Sequence, residues 1–354
     1  MKEKGKKVFV GLSGGVDSAL SAALLVRAGY QVTGVFIKIW QPEFVACTWK
    51  EDRLDAMRVA VALGIPFETL DLSKEYEQEV ITRMVADYSK GITPNPDVLC
   101  NRFIKFGAFR KWAHENGADL IATGHHAQVR EEKGIYELIR GVDPKKDQAY
   151  FLCELTQDDL AHSLFPIGHL TKDEVRRQAA DLALPVATRP DSQGLCFVGD
   201  VDMHDFLREL IKPKPGLVLN EDGNVIGEHD GAPLYTLGQR HKFHVTDSEA
   251  SKVPQFVIVI DTKKNTITVA PNTVLAERRE VFITNCNWTS GQKPMPGRYT
   301  AEIRYHQKPR TWTLEYRGDA VCVIFNEPQL ATAGQSLVLY DGTICFGGGP
   351  ILSI

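Results

Sequence analysis

A glycine-rich turn near the start of the chain is the feature that most constrains the fold. The turn spans residues 11–18 and reads GLSGGVDS. Residues 6–10 (KKVFV) before it predict a short buried strand, and residues 19–28 (ALSAALLVRA) after it are good helix formers. Because free backbone N–H groups and the helix dipole attract anions at a helix N-terminus, this arrangement predicts a phosphate-binding loop.

The residues of the turn narrow its chemistry. It lacks the lysine of the GxxxxGK[ST] loop and the glycine spacing of GxGxxG. It resembles the SGGxDS loop of the ATP pyrophosphatases, which adenylate a carbonyl oxygen and release pyrophosphate. The resemblance implies that Mg²⁺ binds with ATP near Asp17. The residues implied to hold ATP are Gly11, Leu12, Ser13, Gly14, Gly15, Val16, Asp17 and Ser18. The alternative is a plain glycine turn in which Asp17 or Ser18 caps the helix.

The first half of the chain alternates predicted strands with predicted helices. Such alternation predicts a parallel sheet with helices on both faces and a site at the carboxyl ends of its strands. Loops that follow residue 10, residues 38–40 and residue 123 fall at such ends, and we expect them to converge. The predicted strands are 31–40, 67–72 and 119–123, and the predicted helices are 51–63, 73–90 and 102–116.

The second half contains short runs of strand formers separated by glycine and proline. Residues 256–261 and 266–270 predict a hairpin, and Asp341-Gly342 predicts a tight hairpin turn. Evenly spaced strands favour a small barrel or sandwich. We therefore expect an α/β fold with a parallel-sheet ATP-pyrophosphatase (adenine nucleotide alpha hydrolase-like) domain followed by two small β-rich modules, the last a β-barrel. The predicted domains are 1–205, 206–277 and 278–354.

Composition restricts location and partners. Hydrophobic residues make up 43% of the 354 and charged residues 24%, as in ordinary globular proteins. Neither a signal-peptide pattern nor a run of 18 apolar residues occurs, so we expect a cytoplasmic protein without a membrane partner. The net charge of −4 predicts that any nucleic-acid-binding surface is local.

Two of the seven cysteines lie in unusual surroundings. The absence of CxxC argues against a zinc ribbon, and the odd count argues against a disulfide framework. Prolines flank Asn95 and predict a rigid loop that delivers Asp97 and Cys100 to a helix beginning near Asn101, where the dipole favours a thiolate. Cys196 lies in a second polar loop, DSQGLCF. Buried structural thiols remain the alternative for both cysteines.

Motifs spread along the chain identify a family. They are GLSGGVDS, TPNPDVLCN, ATGHHA, RGVDPKKDQAYFL, DSQGLCF, YTLGQR, RYHQ and CFGGGPIL. Together they resemble the tRNA-specific 2-thiouridylases, from about residue 7 to residue 351. His126 stands where that family usually has tyrosine, Ile37 stands where methionine is common, and the loop after Trp40 is short. These departures concern adenine packing and loop length rather than the reacting groups.

The resemblance implies an ATP-dependent 2-thiolation of the wobble uridine of tRNA. The uracil C2 oxygen would attack the α-phosphate and release pyrophosphate. Cys196 would carry a persulfide from a sulfur-relay protein, and its terminal sulfur, directly or as sulfide freed by Cys100, would displace AMP. The two cysteines would finish as a disulfide. Asp97 would serve in acid/base catalysis.

The resemblance also implies binding residues. Ile37 and Gly124 would offer backbone contacts to adenosine, and Asn95, Pro96 and Asp97 would receive the flipped uridine. The β-rich modules would hold the anticodon arm through its shape and phosphates. The residues that match tRNA-contacting positions are His125, Lys146, Asp147, Gln148, Arg304, Tyr305 and Gln335.

Three other functions use the same residues differently. An amidating ligase of the guanylate or argininosuccinate synthetase type would share the loop but has no use for two loop cysteines. An iron–sulfur protein would take Asp97, Cys100 and Cys196 as ligands, although clusters usually have four cysteines. An inert binding protein would keep only the fold.

Overall fold

The structure is a computed structural model that describes residues 5–45, 49–191, 201–307, 310–318 and 320–352. Within these ranges, no helix combines the length and apolar character that crossing a bilayer requires.

The first half forms the predicted parallel sheet. The strands of this half, in chain order, are β1 (Lys7–Gly11), β2 (Gln31–Lys38), β3 (Phe67–Asp71), β4 (Leu120–Ala122), β5 (Ala127–Glu132), β6 (Ile135–Arg140) and β7 (Ser163–Leu164). Five of them pair in parallel in the order β3-β2-β1-β4-β7. In β1, Val8 and Val10 are buried in one apolar cluster and Phe9 in another, so helices cover both faces of the sheet. The predicted α/β architecture is confirmed.

The helices follow the prediction with one important shift. They are α1 (Val16–Ala28), α2 (Trp49–Leu63), α3 (Ser73–Tyr76), α4 (Arg83–Tyr88), α5 (Pro96–Leu99), α6 (Arg110–Glu115), α7 (Gln157–Ala161), α8 (Lys172–Asp181) and α9 (Met203–Ile211). The π-helical segments Glu77–Thr82 and Cys100–Phe109 join α3 to α4 and α5 to α6. The helix predicted from residue 102 therefore begins at Pro96, because Asn95-Pro96 is itself a strong start signal.

A five-stranded sheet forms the centre of the chain. Its strands are β8 (Gly216–Leu219), β9 (Val225–His229), β10 (Phe243–Val245), β11 (Phe256–Asp261) and β12 (Thr266–Ala270), in the order β10-β9-β8-β12-β11. The predicted hairpin is the antiparallel pair β11–β12, and Asn265 takes a left-handed φ of 53° just before β12.

The last seven strands form most of a nine-stranded sheet. They are β13 (Arg278–Ile283), β14 (Asn287–Trp288), β15 (Gly297–Glu302), β16 (Arg310–Arg317), β17 (Ala320–Gln329), β18 (Ser336–Asp341) and β19 (Ile344–Pro350). The predicted turn at Gly342 joins β18 to β19. A bridge between Ile283 and Ile351 brings the strand at one end of this sheet against the chain that leaves β19, as in the predicted barrel.

One hairpin crosses the predicted domain boundary. Strands β5 and β6 come from the first half, yet β6 pairs with β19 of the last sheet through Ile139 and Ile344. Sequence patterns do not predict this hairpin, because most of its side chains are at least partly exposed and carry no clear apolar alternation. The division into 1–205, 206–277 and 278–354 stays a prediction.

Candidate active site

The nucleotide loop, defined as residues 11–18, ends at an uncapped helix. Gly15 is the N-cap of α1, and no side chain among the described residues caps it. The Asp17 or Ser18 cap of the alternative interpretation is therefore not formed. Gly14 has a φ of 79°, and a Cβ there would lie 2.6 Å from the carbonyl oxygen of Asp52. The loop thus needs glycine and presents free N–H groups to an anion.

Serine hydroxyls close the turn. The Ser18 hydroxyl accepts a hydrogen bond from the Ser13 backbone N–H at 3.2 Å and donates to the Gly15 carbonyl at 3.1 Å. The Ser13 hydroxyl accepts from the Gly15 N–H at 3.3 Å. The local sequence therefore fixes the shape of the loop.

The loops after β1, β2 and β4 lie side by side at one edge of the sheet. The register pairs Val10 with Gly34 of β2 and with Ala122 of β4. A Cβ on Gly124 would lie only 2.6 Å from the backbone nitrogen of Ser18. Because only glycine permits this approach, Gly124 meets the start of α1, as the predicted convergence requires.

Asp17 has a partner that sequence reasoning missed. Lys172 Nζ lies 2.6 Å from Asp17 Oδ1 and 2.7 Å from Oδ2, although 155 residues separate them. His126 Nε2 lies 3.4 Å from the same carboxylate. Burial opposes ionisation, but the His126 hydrogen bond and the Lys172 ammonium outweigh it and lower the pKa of Asp17. Position 172 opens α8, and only its capping-box context marks it in the sequence.

Asp191 extends the charge network toward the second cysteine segment. Its carboxylate lies 2.9 Å from Lys172 Nζ, 2.6 Å from Lys146 Nζ and 2.6 Å from Arg176 Nη2. Burial opposes ionisation of Asp191, but hydrogen bonds from Lys146 and Lys172 lower its pKa to about 2. Cys196 follows in 192–200, outside the described residues.

Arg189 attaches the same part of the chain to the nucleotide loop. Its Nη1 atom donates to the Gly14 carbonyl at 3.0 Å and to Asp55 Oδ2 at 2.9 Å. Arg189 therefore contacts the nucleotide loop directly, and Asp191 is connected to Asp17 of that loop through Lys172.

The helix that carries Cys100 begins earlier than predicted. Asn95 Oδ1 accepts hydrogen bonds from the N–H groups of Asp97 at 3.2 Å and Val98 at 3.3 Å, and Pro96 occupies the first turn. Cys100 lies beyond that turn and is fully buried. The prediction that Cys100 sits at a helix N-terminus is wrong, and because the dipole effect fades after the first turn, it favours the thiolate less than expected.

The Cys100 helix and the nucleotide edge meet at His125. Lys105 Nζ lies 3.4 Å from His125 Nε2, and the Thr123 hydroxyl lies 2.8 Å from His125 Nδ1. Burial lowers the pKa of His125 well below its ordinary value, and the nearby Lys105 ammonium acts in the same direction. His125 is thus a buried neutral link rather than an exposed cation.

Two other predicted tRNA contacts are engaged within the chain. The buried Asp147 carboxylate accepts from the Gly141 N–H at 2.9 Å and pairs with Arg140 at 2.7 Å. Gln148 Oε1 accepts from the His126 N–H at 2.9 Å. Their tRNA contacts stay predictions.

The residues of the last sheet that are predicted to contact tRNA include one that reaches the loop before α5. Arg304 is exposed, and its Nη2 atom lies 3.4 Å from the Thr332 hydroxyl. The Tyr305 ring lies 4.3 Å from the ring of Phe151. Gln335 reaches the carbonyls of residues 93 and 94. The last sheet therefore contacts the loop that leads into the cysteine helix.

The chemistry of the site suits a nucleotide more clearly than a metal cluster. A partly exposed carboxylate beside free N–H groups and a lysine fits Mg²⁺ with phosphates. Within the described ranges, the group of three potential ligands close enough to share a metal is Asp202, His204 and Asp205, which does not include Cys100. Because Cys196 is not described, the iron–sulfur alternative stays untested.

Family models match the chain in three consecutive segments. Residues 6–200 match the model described as tRNA methyl transferase HUP domain. Residues 204–271 match tRNA methyl transferase PRC-barrel domain, and residues 278–351 match Aminomethyltransferase beta-barrel domain.

Curated relatives match nearly the whole chain. A tRNA-specific 2-thiouridylase MnmA from Lacticaseibacillus paracasei is 43% identical over 98% of this chain and 94% of its own length. Another from Alkaliphilus oremlandii is 42% identical over 98% of this chain and 97% of its own length.

Solved structures match more distantly. A 4-thiouridine synthetase–RNA complex with bound ATP is 20% identical over 52% of this chain and 43% of that one, with a TM-score of 0.37. The U34-tRNA thiolase NcsA from Methanococcus maripaludis is 19% identical over 59% of this chain and 64% of that one, with a TM-score of 0.36. Scores this low bear on neither the function nor the site of this chain.

Proposed function

The chain belongs to the tRNA-specific 2-thiouridylase family, and we propose that it catalyses the ATP-dependent 2-thiolation of the wobble uridine in tRNA. The observation that carries this proposal is the meeting of two sites at one sheet edge. Asp17 and Lys172 lie at the free N-terminus of α1, and the helix that carries Cys100 contacts His125 beside them.

ATP would lie on the nucleotide loop. The free N–H groups of α1 would hold the phosphates, with backbone contacts to adenosine from Ile37 and Gly124. Lys172 would supply the cation that the loop itself lacks. Asp17 would hold Mg²⁺, which neutralises phosphate charge when bound.

The first step would activate the base. The flipped uridine would lie at Asn95, Pro96 and Asp97, and its C2 oxygen would attack the α-phosphorus of ATP. A P–O bond forms, the bond to pyrophosphate breaks, and Asp97 takes the proton from N3, which it returns when 2-thiouridine is released. The products of this step are an adenylated uridine and pyrophosphate.

The second step would deliver sulfur. The terminal sulfur of a persulfide on Cys196 would attack C2, and the C2–O bond to AMP would break. The Cys100 thiolate would then attack the Cys196 sulfur, release 2-thiouridine and leave a Cys100–Cys196 disulfide. A sulfur-relay protein would supply the persulfide, and an external thiol would reduce the disulfide. Because Cys100 is buried, tRNA binding would have to expose it.

The anticodon arm would lie against the β-rich modules. Exposed Arg304 offers a phosphate contact, and Tyr305 follows it in the chain. Lys146, which pairs with Asp191, would contact tRNA nearer the nucleotide loop. The family models carry a description that mentions methyl transfer, whereas relatives matched over 98% of the chain are named for thiolation. The cysteines favour thiolation.

Mass spectrometry of nucleosides tests the proposal. Wild-type protein with tRNA, ATP and a sulfur donor should form 2-thiouridine, AMP and pyrophosphate. Cys196→Ser should accept no sulfur, whereas Cys100→Ser should accumulate persulfide on Cys196 without forming product. Cys322→Ser, a buried thiol of β17, is the matched control and should remain active.

Three results would contradict the proposal. ADP with orthophosphate would exclude the pyrophosphatase chemistry. Methylated nucleosides without 2-thiouridine would favour the function that the family-model descriptions mention. ATP turnover that formed no 2-thiouridine and was unchanged in Cys100→Ser would favour an amidating ligase.

A further inference from the structure

The loop that leads to Cys100 is held by the last sheet. We define residues 92–100, the loop before α5 together with α5 and Cys100, as the catalytic loop, and residues 332–335 as the barrel turn. The buried Thr93 N–H donates to the Ala333 carbonyl at 2.9 Å. The Gln335 amide donates to the Thr93 carbonyl at 3.0 Å and to the Pro94 carbonyl at 3.1 Å. Three hydrogen bonds from one turn thus fix two consecutive residues of the loop.

The central sheet contacts the same residue. The hydroxyls of Thr93 and Thr236 lie 3.1 Å apart. Thr93 is therefore shared by the catalytic half and both β-rich modules. Because the last sheet bonds its backbone and the central sheet bonds its hydroxyl, the position of Thr93 depends on how all three parts pack.

The barrel turn itself is built to hold its shape. Gly334 has a φ of 87°, and a Cβ there would lie 2.4 Å from Ile92 Cγ2. Its N–H donates to the Ile351 carbonyl at 2.8 Å, and the Ile351 N–H donates to the Gln335 carbonyl at 2.9 Å. Hydrogen bonds to Ile351 thus hold the barrel turn, and the absence of a side chain at Gly334 lets it lie close to the catalytic loop.

The anchored residues lie directly ahead of the proposed reacting groups. Pro94 precedes Asn95, whose side chain caps the helix at Asp97 and Val98. Fixing the carbonyls of residues 93 and 94 therefore sets the direction in which Asn95 starts the helix. The positions of Asp97 and Cys100 follow from that start.

The other end of the barrel turn touches a predicted tRNA contact. Arg304 Nη2 lies 3.4 Å from the Thr332 hydroxyl and 3.5 Å from the Leu237 carbonyl of the central module. A phosphate that drew the exposed guanidinium away would break contacts at the first residue of the turn. The same turn would therefore respond to tRNA on one side and hold the catalytic loop on the other.

We infer that Gln335 is a positioning residue that sets the catalytic loop for sulfur transfer, rather than only a surface contact to tRNA. This inference rests on the proposed function and adds to it. The side-chain amide nitrogen donates to both loop carbonyls, so the residue acts through Asn95, Asp97 and Cys100.

Gln335→Met tests the inference, because methionine keeps the length and loses both donors. Gln329→Met is the matched control. The Gln329 amide also donates to two carbonyls, those of Glu327 at 3.2 Å and Pro328 at 2.7 Å, but within its own strand. Gln335→Glu is a second variant in case Gln335→Met does not fold, which circular dichroism would reveal.

Two measurements read the result. The single-turnover rate of thiolation at saturating tRNA should fall about 10- to 100-fold in Gln335→Met, as for misplaced catalytic groups, while the Kd for tRNA changes less than about threefold. Alkylation of Cys100 by iodoacetamide, followed by peptide mapping without tRNA, should change at least about threefold because the loop moves. Gln329→Met should change neither rate.

Each contrary outcome is distinct. Restoration of the wild-type rate by saturating tRNA would make Gln335 a simple tRNA contact. An unchanged alkylation rate would show that Gln335 does not position the loop. If wild-type protein formed no 2-thiouridine, the proposed function would fail, while the alkylation comparison would still decide whether Gln335 positions the loop.

Discussion

The nucleotide loop and the catalytic loop would each place backbone beside a substrate, but different kinds of hydrogen bond hold them in position. The nucleotide loop takes its shape from hydrogen bonds among Ser13, Gly15 and Ser18, all within one motif. The catalytic loop takes its position from Gln335 and Thr236, which lie far along the chain. Local hydrogen bonds make the first loop a preformed site, and distant hydrogen bonds make the second one sensitive to domain packing.

The two loops also differ in electrostatics. Charged side chains surround the nucleotide loop, where Asp17, Lys172 and Asp191 form a continuous network. The contacts from the β-rich modules to Thr93 and Pro94 are neutral hydrogen bonds. We therefore expect salt and pH to act mainly on the nucleotide side, and packing changes to act mainly on the catalytic loop.

The largest effect should come from Lys172→Met, which removes a cation that lies outside the nucleotide motif. Lys172 is the residue within 2.7 Å of both Asp17 oxygens. Loss of a preorganised group that stabilises transition-state charge costs about 10²–10³ in rate. Pyrophosphate release measured at saturating ATP and tRNA should fall by that factor. Such a loss would show that the nucleotide site also depends on a residue far away in the sequence.

The control for this variant is Lys264→Met. Lys264 is an exposed lysine near Asp261 at the β11–β12 turn, and its loss should leave pyrophosphate release unchanged. If Lys172→Met released pyrophosphate at the wild-type rate, the motif alone would suffice and Lys172 would serve stability only.

The same contrast explains what could be predicted from sequence. The glycine turn, the parallel sheet and the β11–β12 hairpin depend on neighbouring residues, so local patterns predicted them. Lys172 could not be found this way, because its partner Asp17 is 155 residues away. The cysteine helix begins at Pro96 rather than near Asn101, because the prolines that predict an extended loop also allow Asn95 to cap a helix. The roles of Cys100 and Cys196 remain predictions.

A smaller effect should follow from Arg304→Ala, on the tRNA side alone. The exposed guanidinium offers one phosphate contact. Loss of a charged hydrogen bond should weaken tRNA binding by about tenfold. The slope of log K against log salt should become shallower by about 0.7. Filter binding across a salt series measures both quantities.

ATP binding and a matched arginine complete that comparison. ATP affinity, measured by calorimetry, should not change in Arg304→Ala, because the residue contacts the barrel turn rather than the nucleotide loop. Arg317→Ala, which removes an exposed arginine paired with Glu280, should leave tRNA binding unaltered. Equal losses in both arginine variants would mean that tRNA responds to overall charge and not to this face.

The smallest effect concerns pH and Asp191, which joins the nucleotide site to the chain ahead of Cys196. The pKa of Asp191 is about 2 in the folded chain, against about 3.9 in an unfolded one. A lowered pKa stabilises the folded state above the unfolded value, and this stabilisation is lost as pH falls from about 4 to about 2. Solvent screening limits it to about 1 kcal/mol.

In urea titrations, the free energy of unfolding of the wild type should exceed that of Asp191→Asn by a constant amount from pH 7 to pH 5. The difference should shrink by pH 3. Asp222→Asn, in an exposed turn, controls for the loss of one charge. A difference that stayed constant down to pH 3 would mean that Lys146, Lys172 and Arg176 do not hold Asp191 ionised, and that the charge network does not secure the chain ahead of Cys196.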